Sequence, residues 1–175
     1  MTHILSRRLR PVPVLLALLA TVGAAQAHVV IQDRSVVQGA YHRAAFQVGH
    51  GCAGSPTTEL AVTVPPGAEG AHPMPKAGWQ LDIEAPAADG SRRIVWRGGS
   101  LDDRHYDEFV MQFKVTAAPG PLWFNVEQTC AQGRNLWVER PESGSSTRGL
   151  RLPAALLEVV PAAPKIGRAS CRGRV

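Results

Sequence analysis

The sequence lacks the motifs that identify most hydrolases, nucleotide-binding enzymes and zinc sites. Its three cysteines form no CxxC pair and its six histidines form no HxH or HExxH pattern. No serine lies in an elbow motif, and there is no glycine-rich phosphate loop. No segment shows a sustained helical period, and no apolar run approaches the roughly 20 residues that a membrane-spanning helix needs. The protein is therefore not predicted to be an enzyme.

Acidic residues are missing from both ends of the chain. Residues 1–27 and 165–175 hold seven of the 19 basic residues and none of the 14 acidic ones, so residues 28–164 carry 12 basic and 14 acidic side chains, a net charge of −2. The formal charge of +5 thus comes from the termini. Nucleic-acid binding loses its main support, because it depends on a basic surface, and we expect no nucleic-acid partner.

The N-terminal segment 1–27 has the pattern of a secretory signal peptide. Three arginines between positions 7 and 10 precede an apolar run, Val12 to Val22, and Ala25-Gln26-Ala27 has the small-x-small pattern of a cleavage site. A membrane anchor is the alternative, but the run is too short to span a bilayer. We expect an exported, periplasmic protein whose mature domain, 28–164, begins at His28.

The C-terminal segment 165–175 changes the composition abruptly and has no apolar period. Its back-translation resembles a common sequencing adapter read in frame, except at Gly173, where the adapter would encode Glu. We interpret this segment as a non-native, adapter-derived tail, and a native basic tail is the alternative. On the first interpretation the native C-terminus is missing, and a membrane anchor there, with a cell-surface location, stays open.

Two cysteines remain within the expected mature domain, Cys52 and Cys130. An exported protein folds in an oxidising compartment, where two cysteines favour a disulfide. Closing so long a loop would stabilise the fold by at most about 4.5 kcal/mol on the chain-entropy model. Two buried free thiols are the alternative.

The domain reads as short strands separated by proline, glycine and aspartate. In the segment 109–115 every odd position is apolar, which is typical of a strand with one buried face. This spacing predicts an all-β protein, an antiparallel, immunoglobulin-like β-sandwich of about nine strands. The predicted strands are His28 to Gln32, Tyr41 to Val48, Glu59 to Val64, Trp79 to Glu84, Arg92 to Arg97, Glu108 to Thr116, Leu122 to Gln128, Asn135 to Glu139 and Leu150 to Val160.

The most informative position for chemistry is His28, because processing would make it the first residue. The free α-amine and the imidazole Nδ1 of one histidine form a chelate ring that suits a nitrogen-seeking metal such as Cu(II). A histidine at a cleavage junction also arises by chance. The other histidines of the domain are read as surface or hydrogen-bonded residues unless something else selects them, and the lack of a methionine-rich run argues against a dedicated Cu(I) site.

Several short stretches together resemble one family, the YcnI-like domain family of exported β-sandwich proteins. The resemblance implies copper binding by an N-terminal histidine brace, with an acidic side chain and a tryptophan near the metal. It also implies periplasmic copper chaperones or a membrane copper transporter as partners. The stretches, in family order, are His28-Val29-Val30-Ile31, Gly39-Ala40-Tyr41, the segments 48–58 and 72–79, Val95-Trp96-Arg97-Gly98-Gly99, the segment 106–109, and Leu136-Trp137-Val138-Glu139.

Carried over by position, the brace matches His28 and the tryptophan matches Trp137. Where the family has the acidic ligand, this chain has His42. Either His42 supplies a nitrogen instead, giving a two-histidine brace, or the second ligand is missing, and His50 is a weaker candidate. The expected function is Cu(II) binding for copper delivery or storage. A copper-dependent redox enzyme with a histidine brace and a structural or adhesive sandwich without metal are the alternatives.

Overall fold

The structure is a computed structural model that describes residues 28–163, so the expected signal peptide and the expected non-native tail lie outside the described residues. The described chain forms eleven strands and no helix that is long and apolar enough to cross a bilayer. The strands are β1 (Val30–Ile31), β2 (Ser35–Val37), β3 (Tyr41–Val48), β4 (Thr57–Val64), β5 (Ala68–Pro73), β6 (Gln80–Ile83), β7 (Arg92–Leu101), β8 (Asp107–Val115), β9 (Gly120–Cys130), β10 (Arg134–Trp137) and β11 (Ala155–Val160).

The strands form two sheets that pack face to face. The smaller sheet has the order β1-β3-β8-β5, and the larger has the order β2-β11-β9-β4-β7-β6, with β10 also paired to β9. All pairings between these strands are antiparallel except that of β2 with β11. The predicted antiparallel β-sandwich is therefore confirmed, with one parallel pair added at an edge.

The core lies between the two sheets and follows the alternation seen in the sequence. The odd positions of β8 from Phe109 to Val115 are fully buried, as the period-2 pattern predicts. Phe113 of the smaller sheet meets Phe124 of the larger one, with ring centroids 5.5 Å apart. Trp96 is fully buried and packs on Phe109, with ring centroids 5.7 Å apart.

Two strands, β2 and β5, were not expected from the sequence. β2 has three residues and only one buried side chain, which is too short to show a period. β5 contains Gly70 and ends at Pro73, and its register against β8 shifts between Glu69 and His72. Glycine and proline are depleted in regular strands, and a bulge interrupts the regular pairing. This segment therefore carries turn signals although it pairs as an edge strand.

Strand β9 shares one of its edges between two partners. Its first half pairs with β11, where Ala155 lies opposite Phe124, and its second half pairs with β10, where Trp137 lies opposite Val126. The end of β10 and the start of β11 therefore meet beside the middle of β9. Trp137 lies at this meeting point, the β10/β11 corner, opposite Val126.

The two domain cysteines are joined by a disulfide, as expected. Cys52 lies in the turn after β3 and Cys130 ends β9, with their Cα atoms 5.9 Å apart. Both residues are buried. The bridge therefore ties the turn after β3, in the smaller sheet, to the end of β9 in the larger one.

Replacing both cysteines, as Cys52→Ala with Cys130→Ala, should lower the free energy of unfolding by about 2–4 kcal/mol, because the unfolded chain regains the freedom that the bridge removes. Urea unfolding of the mature protein measures the change. Cys171→Ala, which lies in the tail, is the control and should have no effect. An unchanged urea midpoint in the double variant would contradict the stabilising role of the bridge.

Candidate metal centre

Trp137 is the centre of the candidate site. It is only 1% exposed although it ends an edge strand, because it fills the β10/β11 corner. Its indole N–H donates to Oε1 of Gln128 at 3.1 Å, so the polar edge of the ring is satisfied inside the protein. The remainder of the ring is in contact with two histidines.

These histidines are His28 and His50, which both lie against Trp137. Their ring centroids are 5.9 Å and 6.2 Å from that of the tryptophan, with interplanar angles of 61° and 68°. The register of β1 on β3 puts Val30 opposite Gln47, and its continuation places His28 opposite Gly49. The structure thus brings together His28, Trp137 and the weaker candidate, His50.

The imidazole of His50 is oriented by the next residue. Its Nδ1 lies in short hydrogen-bond contact with the carbonyl oxygen of Gly51. A carbonyl oxygen only accepts, so Nδ1 carries the proton in this contact. Metal-binding histidines are commonly held in this way, with one ring nitrogen donating to a carbonyl and the other facing the metal.

The turn after β3 holds His50 in place. A Cβ atom on Gly51 would lie 1.9 Å from the carbonyl oxygen of Ser55, so only glycine fits there. The N–H of Gly51 donates to Oδ1 of Asp103 at 2.9 Å, and the main chains of Cys52 and Ser55 bond to each other in both directions. The Asp103 carboxylate is therefore hydrogen-bonded to the residue that follows His50 in the chain.

Gln128 connects the two halves of the site. Its side chain is fully buried and makes four hydrogen bonds, which is the full capacity of a primary amide. Nε2 donates to the His50 carbonyl at 2.7 Å and to the Thr57 hydroxyl at 2.8 Å. Oε1 accepts from Trp137 and, at 3.3 Å, from Asn135. Sequence reasoning missed this residue, because a glutamine at the end of a predicted strand carries no metal or catalytic signal.

The expected ligand His42 lies elsewhere, which corrects that expectation. His42 pairs with Phe113 near the start of β3, whereas β1 and His28 meet β3 near its end. At about 3.3 Å per residue, the six positions from His42 to Val48 span roughly 20 Å. His42 and His28 therefore do not share a metal ion in this fold.

His42 instead lies at the edge of the core. It is 8% exposed and its ring packs edge-on against Phe113, with centroids 5.8 Å apart. Nε2 lies 4.0 Å from Oδ2 of Asp33 and has no hydrogen-bond partner within the described residues. Burial lowers the pKa of His42, and the charge of Asp33 opposes this only in part.

The described residues contain no group of three or more histidine, cysteine or acidic side chains arranged to hold a metal. A brace differs from such a group, because the main-chain amine of one residue supplies a ligand and fewer side chains are required. His28 is half-buried and lines an open cleft of about 590 Å³ between β1, the loop 145–148 and the start of β11. An ion or a partner could reach His28 through this cleft.

Comparisons with known proteins agree with the fold. A family model described as "Domain of unknown function (DUF1775)" matches residues 28–159. A solved protein from Nocardia farcinica with an immunoglobulin-like fold aligns with a TM-score of 0.64 and 21% identity, over 75% of this chain and 97% of that one. A type I cohesin from Pseudobacteroides cellulosolvens aligns with a TM-score of 0.44 and 13% identity, over 79% and 94%. No curated protein sequence matches the chain.

Lowering the pH should destabilise the fold through His42. Its pKa is lowered from the ordinary value of 6.5 in the folded state, so the unfolded chain takes up the proton first. The free energy of unfolding should fall as the pH drops through about 6.5 towards the lowered pKa. Urea unfolding at several pH values should show that His42→Gln removes this part of the dependence and that the control His105→Gln retains it. A dependence unchanged by His42→Gln would refute the prediction.

Gln128→Met should destabilise the protein by about 2–4 kcal/mol, because buried groups that lose a partner cost about 1–3 kcal/mol each. Urea unfolding gives the stability, and the NMR signal of the Trp137 indole N–H should move because its acceptor is lost. The control Asn135→Ala removes one of the four bonds at a less buried side chain and should cost less. Equal stability of the two variants would show that the network contributes little.

Proposed function

The chain belongs to the DUF1775 family, which is the YcnI-like domain family, and on this premise we propose that it is an exported protein that binds Cu(II) through His28. The observation that carries the proposal is the contact of His28, the first residue of the expected mature chain, with the buried ring of Trp137. Copper is here the cargo of the protein, which would act in delivery or storage in the periplasm.

The donor atoms suit Cu(II) better than a harder ion. The α-amine and the imidazole Nδ1 of His28 would supply two nitrogens in one chelate ring, and imidazole and amine nitrogens are preferred by Cu(II). The indole of Trp137 contributes no strong donor. Its place beside His28 would exclude water from one side of a bound ion and would limit the directions from which further ligands approach.

His50 is the second imidazole that we propose for the site, in place of His42. It lies against the same indole as His28, and its Nδ1 is engaged with the Gly51 carbonyl, so Nε2 is the nitrogen that we propose as the donor. Asp103, whose carboxylate bonds to the Gly51 N–H, is the acidic side chain next to this imidazole. Its position in the sequence differs from that of the family's acidic residue, which His42 replaces in this chain.

The partners and location follow from the same proposal. The open cleft along β1 and the loop 145–148 gives a second protein access to His28. A periplasmic copper chaperone or a membrane copper transporter could exchange the ion there by replacing the ligands one at a time. Ligands that border an open cleft favour such exchange over permanent retention.

The two alternative functions are distinguished by simple assays. A brace-containing copper enzyme would turn over a polysaccharide when supplied with hydrogen peroxide, and we expect no such turnover. A structural or adhesive sandwich would bind no copper. After the addition of one equivalent of Cu(II), the EPR spectrum would then be that of the free ion.

The brace is tested with two forms of the protein, one beginning at His28 and one with a single added residue before it. The added residue converts the amine into an amide, so the affinity for Cu(II) should collapse and the EPR spectrum should lose a nitrogen. Equal affinity of both forms would rule out the brace.

The second ligand is tested in the form that begins at His28. His50→Ala should weaken Cu(II) binding by at least about tenfold, or ~1.4 kcal/mol, and should lower the nitrogen count of the EPR spectrum. His42→Ala is the control, since it removes a histidine at the opposite end of β3 from His50, and it should leave both unchanged. Weaker binding in His42→Ala together with unchanged binding in His50→Ala would instead identify His42 as the second ligand.

A further inference from the structure

The segment that follows β5 places a histidine and a methionine side by side on an exposed face. His72 lies opposite Gln112 of β8, and the N–H of Met74 donates to the carbonyl of Val110 at 2.8 Å, which continues the same register. Alternate residues of a strand point to the same face. Because the intervening pair, Pro73 opposite Met111, is the one that faces the core on β8, His72 and Met74 both point outwards from the smaller sheet.

The backbone of this segment is rigid. His72 and Met74 each precede a proline, and a residue before proline is restricted to extended conformations. Both main-chain groups of Met74 are hydrogen-bonded. Its N–H donates to Val110, and its carbonyl accepts from Nε1 of the buried Trp96 at 3.1 Å. Little conformational entropy would therefore be lost if the two side chains closed on one ligand.

Both side chains are accessible. Met74 is 50% exposed, in contrast to the fully buried Met111. His72 is exposed, and its side chain has no hydrogen bond or ion pair within residues 28–163. Alternate residues lie about 7 Å apart along a strand, so an imidazole nitrogen and a thioether sulfur can approach one ion from two sides.

We propose that His72 and Met74 form a binding site for a soft monovalent metal ion, Cu(I) or Ag(I). A thioether selects soft ions and an imidazole also binds copper, so the pair favours Cu(I) over Cu(II), Mg²⁺ or Ca²⁺. One imidazole and one thioether on opposite sides of an ion suffice for a two-coordinate monovalent site. Such a pair needs no methionine-rich run. The lack of such a run was the reason for expecting no dedicated Cu(I) site from the sequence.

This site is separate from the proposed Cu(II) site and does not rest on it. β5 and β1 are the opposite edges of the four-stranded sheet, so three strand spacings, about 14 Å, separate them. His72 and Met74 cannot complete the ligand set of His28. Loss of one site should leave the other intact.

The test uses Ag(I), which has no redox chemistry under these conditions, and the full mature chain labelled with ¹³C at the methionine methyl groups. Only Met74 and Met111 remain after residue 28, so two signals are expected. One equivalent of Ag(I) should move the Met74 signal and leave the Met111 signal unchanged. His72→Gln should weaken binding by about tenfold or more, whereas the control His105→Gln, at another exposed histidine, should not.

A form with one residue added before His28 should bind Ag(I) at Met74 with the same affinity, which separates this site from the brace. The proposal is overturned if the Met74 signal does not move. It is also overturned if His72→Gln and His105→Gln bind equally, because the thioether would then act without the imidazole. Loss of Cu(II) binding in the extended form, with the Met74 shift preserved, would support both sites independently.

Discussion

The buried amide of Gln128 is the constraint on which the candidate Cu(II) site depends. An amide with no access to water must satisfy two donors and two acceptor positions internally, and here they are taken by groups from three different segments of the chain. The disulfide reinforces the same connection two residues further along each segment, from Cys52 to Cys130. One polar and one covalent link thus hold the His50 turn against β9, and the orientation of Trp137 follows from the first.

The division of one edge of β9 between β10 and β11 decides where an N-terminal ligand can be used. The corner between the two strands is filled by Trp137, and β1 reaches that corner because its register on β3 begins opposite the His50 turn. The first residue of the expected mature chain therefore lies against an indole that the larger sheet already holds in place. A chain start that was free in solution would have to be ordered by the metal itself, at a cost in conformational entropy.

Period-2 patterns predicted most of the strands and the sandwich, because alternation reports directly on which face of a strand is buried. They failed for β5, where Gly70 and Pro73 give turn signals in a strand that pairs only on one side. The site was predicted in part: His28 and Trp137 come together, but the sequence position of His42 gave no information on which end of β3 faces β1. That end is set by register, a long-range property, and so is the contact of Gln128 with His50, which are 78 positions apart.

The two proposed metal sites would divide the copper oxidation states between opposite edges of one sheet. Nitrogen donors at His28 and His50 would stabilise Cu(II) and the thioether of Met74 would stabilise Cu(I), so the oxidation state of the ion would decide which edge binds it better. The distance of about 14 Å between the edges prevents any mixed ligand set, so an ion must leave one site before it reaches the other. An exchange partner at the β1 cleft would therefore meet copper only in the oxidised form, and the oxidation state would select the edge from which the ion is passed on.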